Sequence, residues 1–487
     1  MRRSETSQLR FDCTPVSNLK LNFECRDEII PILAGLQHVY DDHKLRQSVI
    51  DLVASDINKN TRPDIGREGF TYWQVLVIAV VRLGLNLNYD KLQDLCENHR
   101  NLRYMLRIGD WDDETNFSWR RLRDTLVLLT PETIKQIDSH IVTHGQQLHG
   151  TSAERVRADS FVIETNIHYS SESSLLWDGV RKIIGCSVEL APLIDAEGWR
   201  QAAHLQGRIK EQVREVARIS ASKSPKVKQG LNAAYRKLLE RVGTVLTRAK
   251  ALKSDAEENG RCVLSMALCK ELQGWIELTS QVCDTAFRRT QLGETVPNDD
   301  KIFSLFETHT QLYRRGKAGE PNQFGRLALI FEDGAGFVSH YKLLSRTAQD
   351  ADVVVGETLE AQRLHGDKIV TASFDRGFYS EENEHSLSSV IKNLCLPPRH
   401  RNAYAARLKE ASVSFREARQ SHSGVESAIG ALQSGNGLKR CRDRSELGLE
   451  RYLGLAILGR NLHVLGKLLI ARTNATSEAA KTKRKAA

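Results

Sequence analysis

Three carboxylates stand out by the company they keep. Asp159 interrupts an otherwise apolar run from Val156 to Ile163, and Asp375 closes a second one, Ile369-Val370-Thr371-Ala372-Ser373-Phe374, just before Arg376-Gly377. Glu426 opens a stretch in which Val425, Ile429 and Leu432 share one helical face. Acids fixed on strands and at a helix start suit two-metal phosphodiester chemistry. That chemistry needs oxygen ligands holding two divalent cations roughly 3.5–4 Å apart, one activating the nucleophile and one steadying the leaving oxygen. Magnesium takes a few carboxylate oxygens and keeps its waters, so such a set requires no His or Cys. The chain has 61 Asp and Glu, most of them expected to be solvated or locally paired, and spacing alone does not single out these three.

The elements that must carry them follow from apolar periodicity. Val156 to Ile167 reads as a strand in which Asp159, Phe161 and Ile163 share a face and Glu164 and Asn166 the other. Ser173 to Leu193 reads as a helix. Arg326 to Phe331, the turn Glu332 to Gly336, and Phe337 to Leu344 read as a β-hairpin. Asp352 to His365 is a predicted helix, Lys368 to Phe374 a strand delivering Asp375, and Val390 to Leu396 a short strand stopped by Pro397-Pro398. From Val425 the pattern is helical. Strand, large helical insertion, two strands, helix, strand, strand, helix is the string of a mixed α/β sheet core.

Around this core the sequence predicts a helical N-terminal domain over 1–150 and a catalytic domain over 151–470 with a basic helical insertion over 195–318. A basic tail over 471–487 need not fold. In the N-terminal part, Phe117, Leu122 and Leu126 line one helical face and Arg120, Arg121 and Arg123 another, a helix that could dock on DNA or serve packing. The formal charge is +9, yet Trp199 to Lys253 alone holds fourteen Lys or Arg against three Glu, so the rest of the chain is slightly acidic. Basic residues concentrated in this way suit a polyanion, because each neutralised phosphate releases counterions. Arg208, Arg214, Lys226, Lys228, Arg236 and Lys237 are the expected phosphate contacts there. Leu238, Val242, Val245, Ala249 and Leu252 give the same region a heptad-like apolar seam.

Nine scattered cysteines without a CxxC pair fit reduced thiols better than a disulfide framework. The start of the chain has no apolar signal core. Leu453 to Ile470 is broken by Arg460, His463 and Lys467, so no membrane span is expected and the location is expected to be cytoplasmic.

The motifs also carry a family likeness. Asp159-Ser160-Phe161-Val162-Ile163-Glu164-Thr165-Asn166-Ile167-His168-Tyr169, followed by Ser173 to Arg181 around Trp177 and Asp178, resembles the first acidic motif of insertion-sequence transposases. Ser373-Phe374-Asp375-Arg376-Gly377-Phe378-Tyr379-Ser380 resembles their second. His422-Ser423-Gly424-Val425-Glu426-Ser427-Ala428-Ile429, with Gly437-Leu438-Lys439-Arg440-Cys441 beyond, resembles their third, and Arg451 to Leu462 is similar to their tail motif. The nearest group is the unclassified insertion-sequence (ISNCY) transposases, with the likeness running from about Phe70 to Leu468.

The resemblance implies an RNase H-like fold, an Asp-Asp-Glu triad of Asp159, Asp375 and Glu426, and two Mg2+ or Mn2+ ions as cofactor. It implies an endonuclease that cuts double-stranded DNA at terminal inverted repeats and joins the freed 3′-hydroxyls to target DNA, working as a homodimer when two ends are paired. Where several related groups carry an arginine ahead of the glutamate, this chain has His422, and no Lys follows until Lys439. Lys439 and Arg440 are the candidate substitutes for a phosphate grip, and Arg376 could orient Asp375 or meet a phosphate. Two alternatives share these motifs: a catalytically silent DNA-binding remnant, and an RNase H-like nuclease without strand transfer.

Overall fold

In the computed structural model the described residues are 11–59, 69–112, 114–260, 262–314, 321–398 and 410–486. They divide into two compact units: Met1–Glu164 with Leu327–Ala487, and Thr165–Arg326.

The first unit is built around one helix that is apolar on every side. α3 (Tyr72–Gly84) buries nearly its whole length, which marks the centre of a packed layer and not its surface. Thr71 caps it, accepting from Gln74 N at 3.2 Å while the Gln74 side chain accepts from Thr71 N at 2.9 Å. Before it come α1 (Ile29–Asp41) and α2 (His43–Asn58). After it come α4 (Tyr89–Asn98), α5 (Arg100–Met105), α6 (Trp119–Leu126) and α7 (Pro131–His149). The α6 pattern predicted from sequence holds: Leu122 and Leu126 are buried, and Arg120 and Arg123 are exposed.

The sheet has six strands: β1 (Arg155–Glu164), β2 (Gln311–Tyr313), β3 (Gln323–Asp333), β4 (Val338–Leu343), β5 (Thr371–Ser373) and β6 (Asn393–Cys395). Their order is β2-β3-β1-β5-β6, with β4 also paired to β3. β3 and β4 are antiparallel, whereas β1, β5 and β6 run parallel, so the sheet is mixed as the sequence string required. β5 is shorter than the predicted strand because Ile369 gives its backbone N–H and C=O to the Gln362 side chain instead of to a neighbouring strand.

The second unit holds α8 (Glu172–Leu190), α9 (Ala202–Ala221), α10 (Pro225–Lys228), α11 (Leu231–Asn259) and α12 (Val263–Gln291). The heptad-like residues Leu238, Val242, Val245, Ala249 and Leu252 are buried, in one cluster with Leu176, Val180 and Ile183 of α8 and Leu272 and Ile276 of α12. This cluster moves the expected boundary. The sequence pattern gives α8 to the catalytic core, but its apolar face is spent on α11 and α12, so the insertion is the whole of Thr165–Arg326 and not 195–318.

The first unit continues with α13 (Asp350–Leu364), α14 (Glu381–Ser388), α15 (Val413–His422), α16 (Gly424–Gly435) and α17 (Glu446–Ala486). The first 150 residues do not form a separate domain. α1, α3 and α7 pack on α17, and residues of these helices share one apolar core with Phe161 and Ile163 of β1, Ile330 of β3 and Ile429 of α16. Two glycines let α17 in. A Cβ on Gly459 would sit 2.6 Å from Gly84 N, and one on Gly466 1.8 Å from Pro31 O, so the backbones touch. Glu446–Thr476 is long and apolar enough to cross a membrane by length and composition, but 72% of its apolar window is buried inside the protein. The last residues, expected to be unstructured, continue this helix to Ala486, in keeping with a segment rich in Ala and Lys that holds no Gly or Pro.

Candidate active site

β1 alternates. Val156, Ala158, Ser160 and Val162 are buried, whereas Arg157 and Asp159 on the other face are only half-buried. That second face continues into Phe161 and Ile163, which join Val425 and Ile429 of α16 in the core. The helix bearing Glu426 therefore covers the face that presents Asp159. Asp159 Oδ1 accepts the N–H of Ser160 at 2.7 Å.

The register of the parallel pair places the second acid. Arg155, Val156 and Arg157 stand opposite Thr371, Ala372 and Ser373. The paired register ends at Arg157 and Ser373, two residues short of Asp159 on β1 and of Asp375, which caps the turn that follows β5. The extended path persists through this point. Phe374 N donates to Cys395 O at 2.9 Å, and Asp375 itself is extended at φ −81°, ψ 168° before the turn Arg376–Phe378. Phe374 and Phe378 anchor this turn from below, both fully buried.

Glu426 is exposed in the first turn of α16, where a carboxylate also meets the favourable end of the helix dipole. Among the described residues no three His, Cys, Asp or Glu side chains converge closely enough to enclose a metal ion. The donor chemistry of Asp159, Asp375 and Glu426 suits a hard cation such as magnesium. Asp159 lies on β1, Asp375 just past the end of β5, and Glu426 in the first turn of α16.

Three groups position this assembly. Arg157, two residues before Asp159 on its face, donates from Nε to Glu332 Oε2 at 2.6 Å and from Nη1 to Ser421 O at 3.0 Å. It thereby joins β1, β3 and the end of α15. Gly424, the first residue of α16, leaves room for this guanidinium: a Cβ there would lie 2.0 Å from Arg157 Nη1, and the arginine would have to swing away. His422 is buried, with Nδ1 3.2 Å from Ser373 Oγ, and burial chiefly, then the nearby Arg419, lowers its pKa to about 4. At neutral pH it is an uncharged strut between α15 and β5. Arg419 Nη2 lies 3.6 Å from Asp375 Oδ1.

The residues expected to meet DNA are scattered by the fold. His422 faces inward. Arg376 is half-buried beside Asp375, and Lys439 and Arg440 are exposed, with Arg440 Nη2 3.5 Å from Glu164 Oε2. Arg120 is exposed over the Trp119 ring, and Arg121 stacks on Phe70 at 4.2 Å while donating to Asn116 O, so Arg121 ties α6 to Phe70 and to the segment that precedes the helix. In the second unit Arg208, Arg214, Lys226, Lys228, Arg236 and Lys237 are all exposed, and Arg236 donates to Gln291 Oε1 at 3.2 Å. His168, near the first motif, pairs with Asp178 Oδ2 at 2.8 Å, a bond that raises its pKa, and Asp178 also meets Arg181.

Sequence reasoning missed Arg157, Glu332 and Arg419. Arg157 was findable, because strand alternation puts it on the Asp159 face. Glu332 and Arg419 come from distant segments, and no local signal marks them. No protein-family model, curated protein or solved structure matches the chain.

Proposed function

We propose that this chain is a DNA transposase of the Asp-Asp-Glu type, cutting at the ends of a mobile element and joining 3′-hydroxyls to target DNA. What supports the reading is that β1 and β5 are neighbouring parallel strands, with Asp159 on the first and Asp375 just beyond the end of the second, and that the helix bearing Glu426 packs on β1. An RNase H-like core is supported by the strand order, with an antiparallel hairpin on one side of β1 and parallel β5 and β6 on the other. The sequence motifs place the same three acids in that order.

Asp159, Asp375 and Glu426 would hold the two magnesium or manganese ions, which supply activation of the attacking hydroxyl and stabilisation of the departing oxygen. The chain's own residues do the rest. β1 and β5 fix the two aspartates, Arg157 and His422 hold the α15–α16 junction that carries the glutamate, and exposed basic residues of the second unit attract the duplex.

The test is strand cleavage and transfer by the purified protein with magnesium, on a duplex carrying the terminal repeats that flank the gene. Asp159→Asn, Asp375→Asn and Glu426→Gln are each expected to abolish nicking with the fold retained. Full activity in any one removes that residue from the site. Simple hydrolysis with no joined product would favour a nuclease over a transposase.

A further inference from the structure

Next to Asp375 lies a cleft of about 330 Å³ lined by Arg376, Glu410, Phe415, Arg416, Arg419 and Gln420. Arg416, Arg419 and Gln420 are three and four residues apart on α15, so they share one face, and Arg376 reaches the same space from the turn after β5. The charge of the lining is three guanidinium groups against one carboxylate.

Two of those guanidinium groups are incompletely used. Among the described residues, Arg376 Nε and Arg419 Nη1 are buried and have no hydrogen-bond partner, although Arg419 Nη2 faces Asp375 Oδ1 at 3.6 Å. Buried donors in native proteins are nearly always satisfied, and an unsatisfied one on a charged group is costly. The same cleft holds the buried, unpartnered Oε1 of Glu410, and one carboxylate against three guanidinium groups leaves positive charge there for a further anion. The planar fork of arginine matches a phosphate bidentately.

Resting on the nucleic-acid reading above, we propose that this cleft holds one backbone phosphate of the substrate strand next to the Asp159–Asp375 pair. Arg416 and Arg419 grip the non-bridging oxygens from α15, and Arg376 completes the grip from the turn. Arg419 thereby links substrate to site, its second nitrogen resting on the carboxylate of Asp375. These arginines are positioning residues: they set where along the strand the scissile bond lies.

The test is fluorescence anisotropy of a labelled 30-base-pair duplex in EDTA, titrated at several NaCl concentrations, so that binding is read without cleavage. Arg416→Gln is the primary variant because Arg416 is exposed, and exposed positions tolerate substitution with little change in stability. About tenfold weaker binding is expected for Arg416→Gln and for Arg419→Gln, and less than the product of the two in the double variant, since both hold one phosphate. The triple variant with Arg376→Gln should flatten the logarithmic salt dependence by about 0.9, one phosphate's worth. Arg419→Lys should restore part of the affinity.

Unchanged affinity and slope in the triple variant overturn the proposal. So does inorganic phosphate binding that these variants abolish while duplex binding stays intact, for then the ligand is a free phosphate. The two readings fail separately. Arginine-dependent duplex binding by a protein that never nicks leaves the cleft standing and removes the transposase. Nicking with wild-type duplex binding in the variants does the reverse.

Discussion

Removing Arg157 separates stability from positioning. The Arg157–Glu332 pair is buried on the acid's side: Glu332 is 4% exposed and Arg157 26%. Arg157→Met leaves Glu332 a buried carboxylate stripped of its hydrogen-bonded counter-ion, with the longer-range charge of Arg460 as a partial offset. Breaking a buried pair in this way costs about 3–5 kcal/mol. Replacing both, as Arg157→Met with Glu332→Met, removes the stranded charge, and an apolar pair of similar volume is expected to return most of that stability. What it cannot return is the hydrogen bond from Nη1 to Ser421 O or the guanidinium seated against Gly424. The double variant should therefore melt within a few degrees of wild type by circular dichroism, since about 1 kcal/mol corresponds to a few degrees in a chain of this size. Its magnesium-dependent nicking should fall at least tenfold, because α16 and Glu426 lose their anchor to β1. A denaturant midpoint for Arg157→Met within about 1 kcal/mol of wild type would refute the ion-pair argument. A stable double variant that nicks at the wild-type rate would refute the positioning argument and leave Arg157 as packing alone.

Other expectations follow from the same interior. Asp138 is buried with its carboxylate accepting from Asn461 Nδ2 at 2.9 Å, and burial lifts its pKa to about 7. The folded state thus keeps a proton that the unfolded state loses near pH 4. This group costs stability increasingly as pH rises from about 4 to 7, and the full cost persists above. Asp138→Asn should raise the melting temperature at pH 8 and change nothing below pH 4, with a gap of at most about 4 kcal/mol; a difference independent of pH would count against it. Gly459→Ala should cost about 1–3 kcal/mol by pushing a methyl into the Gly84 backbone. Gly84→Ala should cost less, because its closest neighbour is the Ile32 Cδ1 methyl, and equal urea midpoints would contradict that ranking. Replacing several exposed Lys and Arg between Arg208 and Lys250 by Gln should reduce the salt slope of duplex binding by about 0.9 for each phosphate no longer neutralised; an unchanged slope frees that surface from DNA.

The fold was legible where a signal is local. Alternation exposed β1 with Asp159 on its half-open face, and the glycine turn between the apolar runs exposed the β3–β4 hairpin. The apolar seam of α11 was readable because helical periodicity needs only one chain segment. Pairings between distant segments were not. The pairing of the strands that lead to Asp159 and Asp375 is a parallel register across more than 200 residues, and period-two patterns carry no information on partner strands. α15 escaped because its apolar face is small, with Phe415, Ala418 and His422 alone buried. The burial of His422 was not legible, because a histidine in a motif gives no hint of which way it faces. The insertion was found by its charge, which says nothing of α8, an apolar helix whose partners lie in α11 and α12.

The two close crossings of α17, Gly459 on Gly84 and Gly466 on Pro31, have a meaning for synthesis. The helical bundle that supports the sheet cannot close until the ribosome has released residues beyond Gly466, long after it has released the backbones they touch. The segment Thr165–Arg326 is contiguous and can consolidate as soon as it emerges. Assembly therefore runs from the middle outward: the basic helices finish first, and the carboxylate-bearing sheet is locked last.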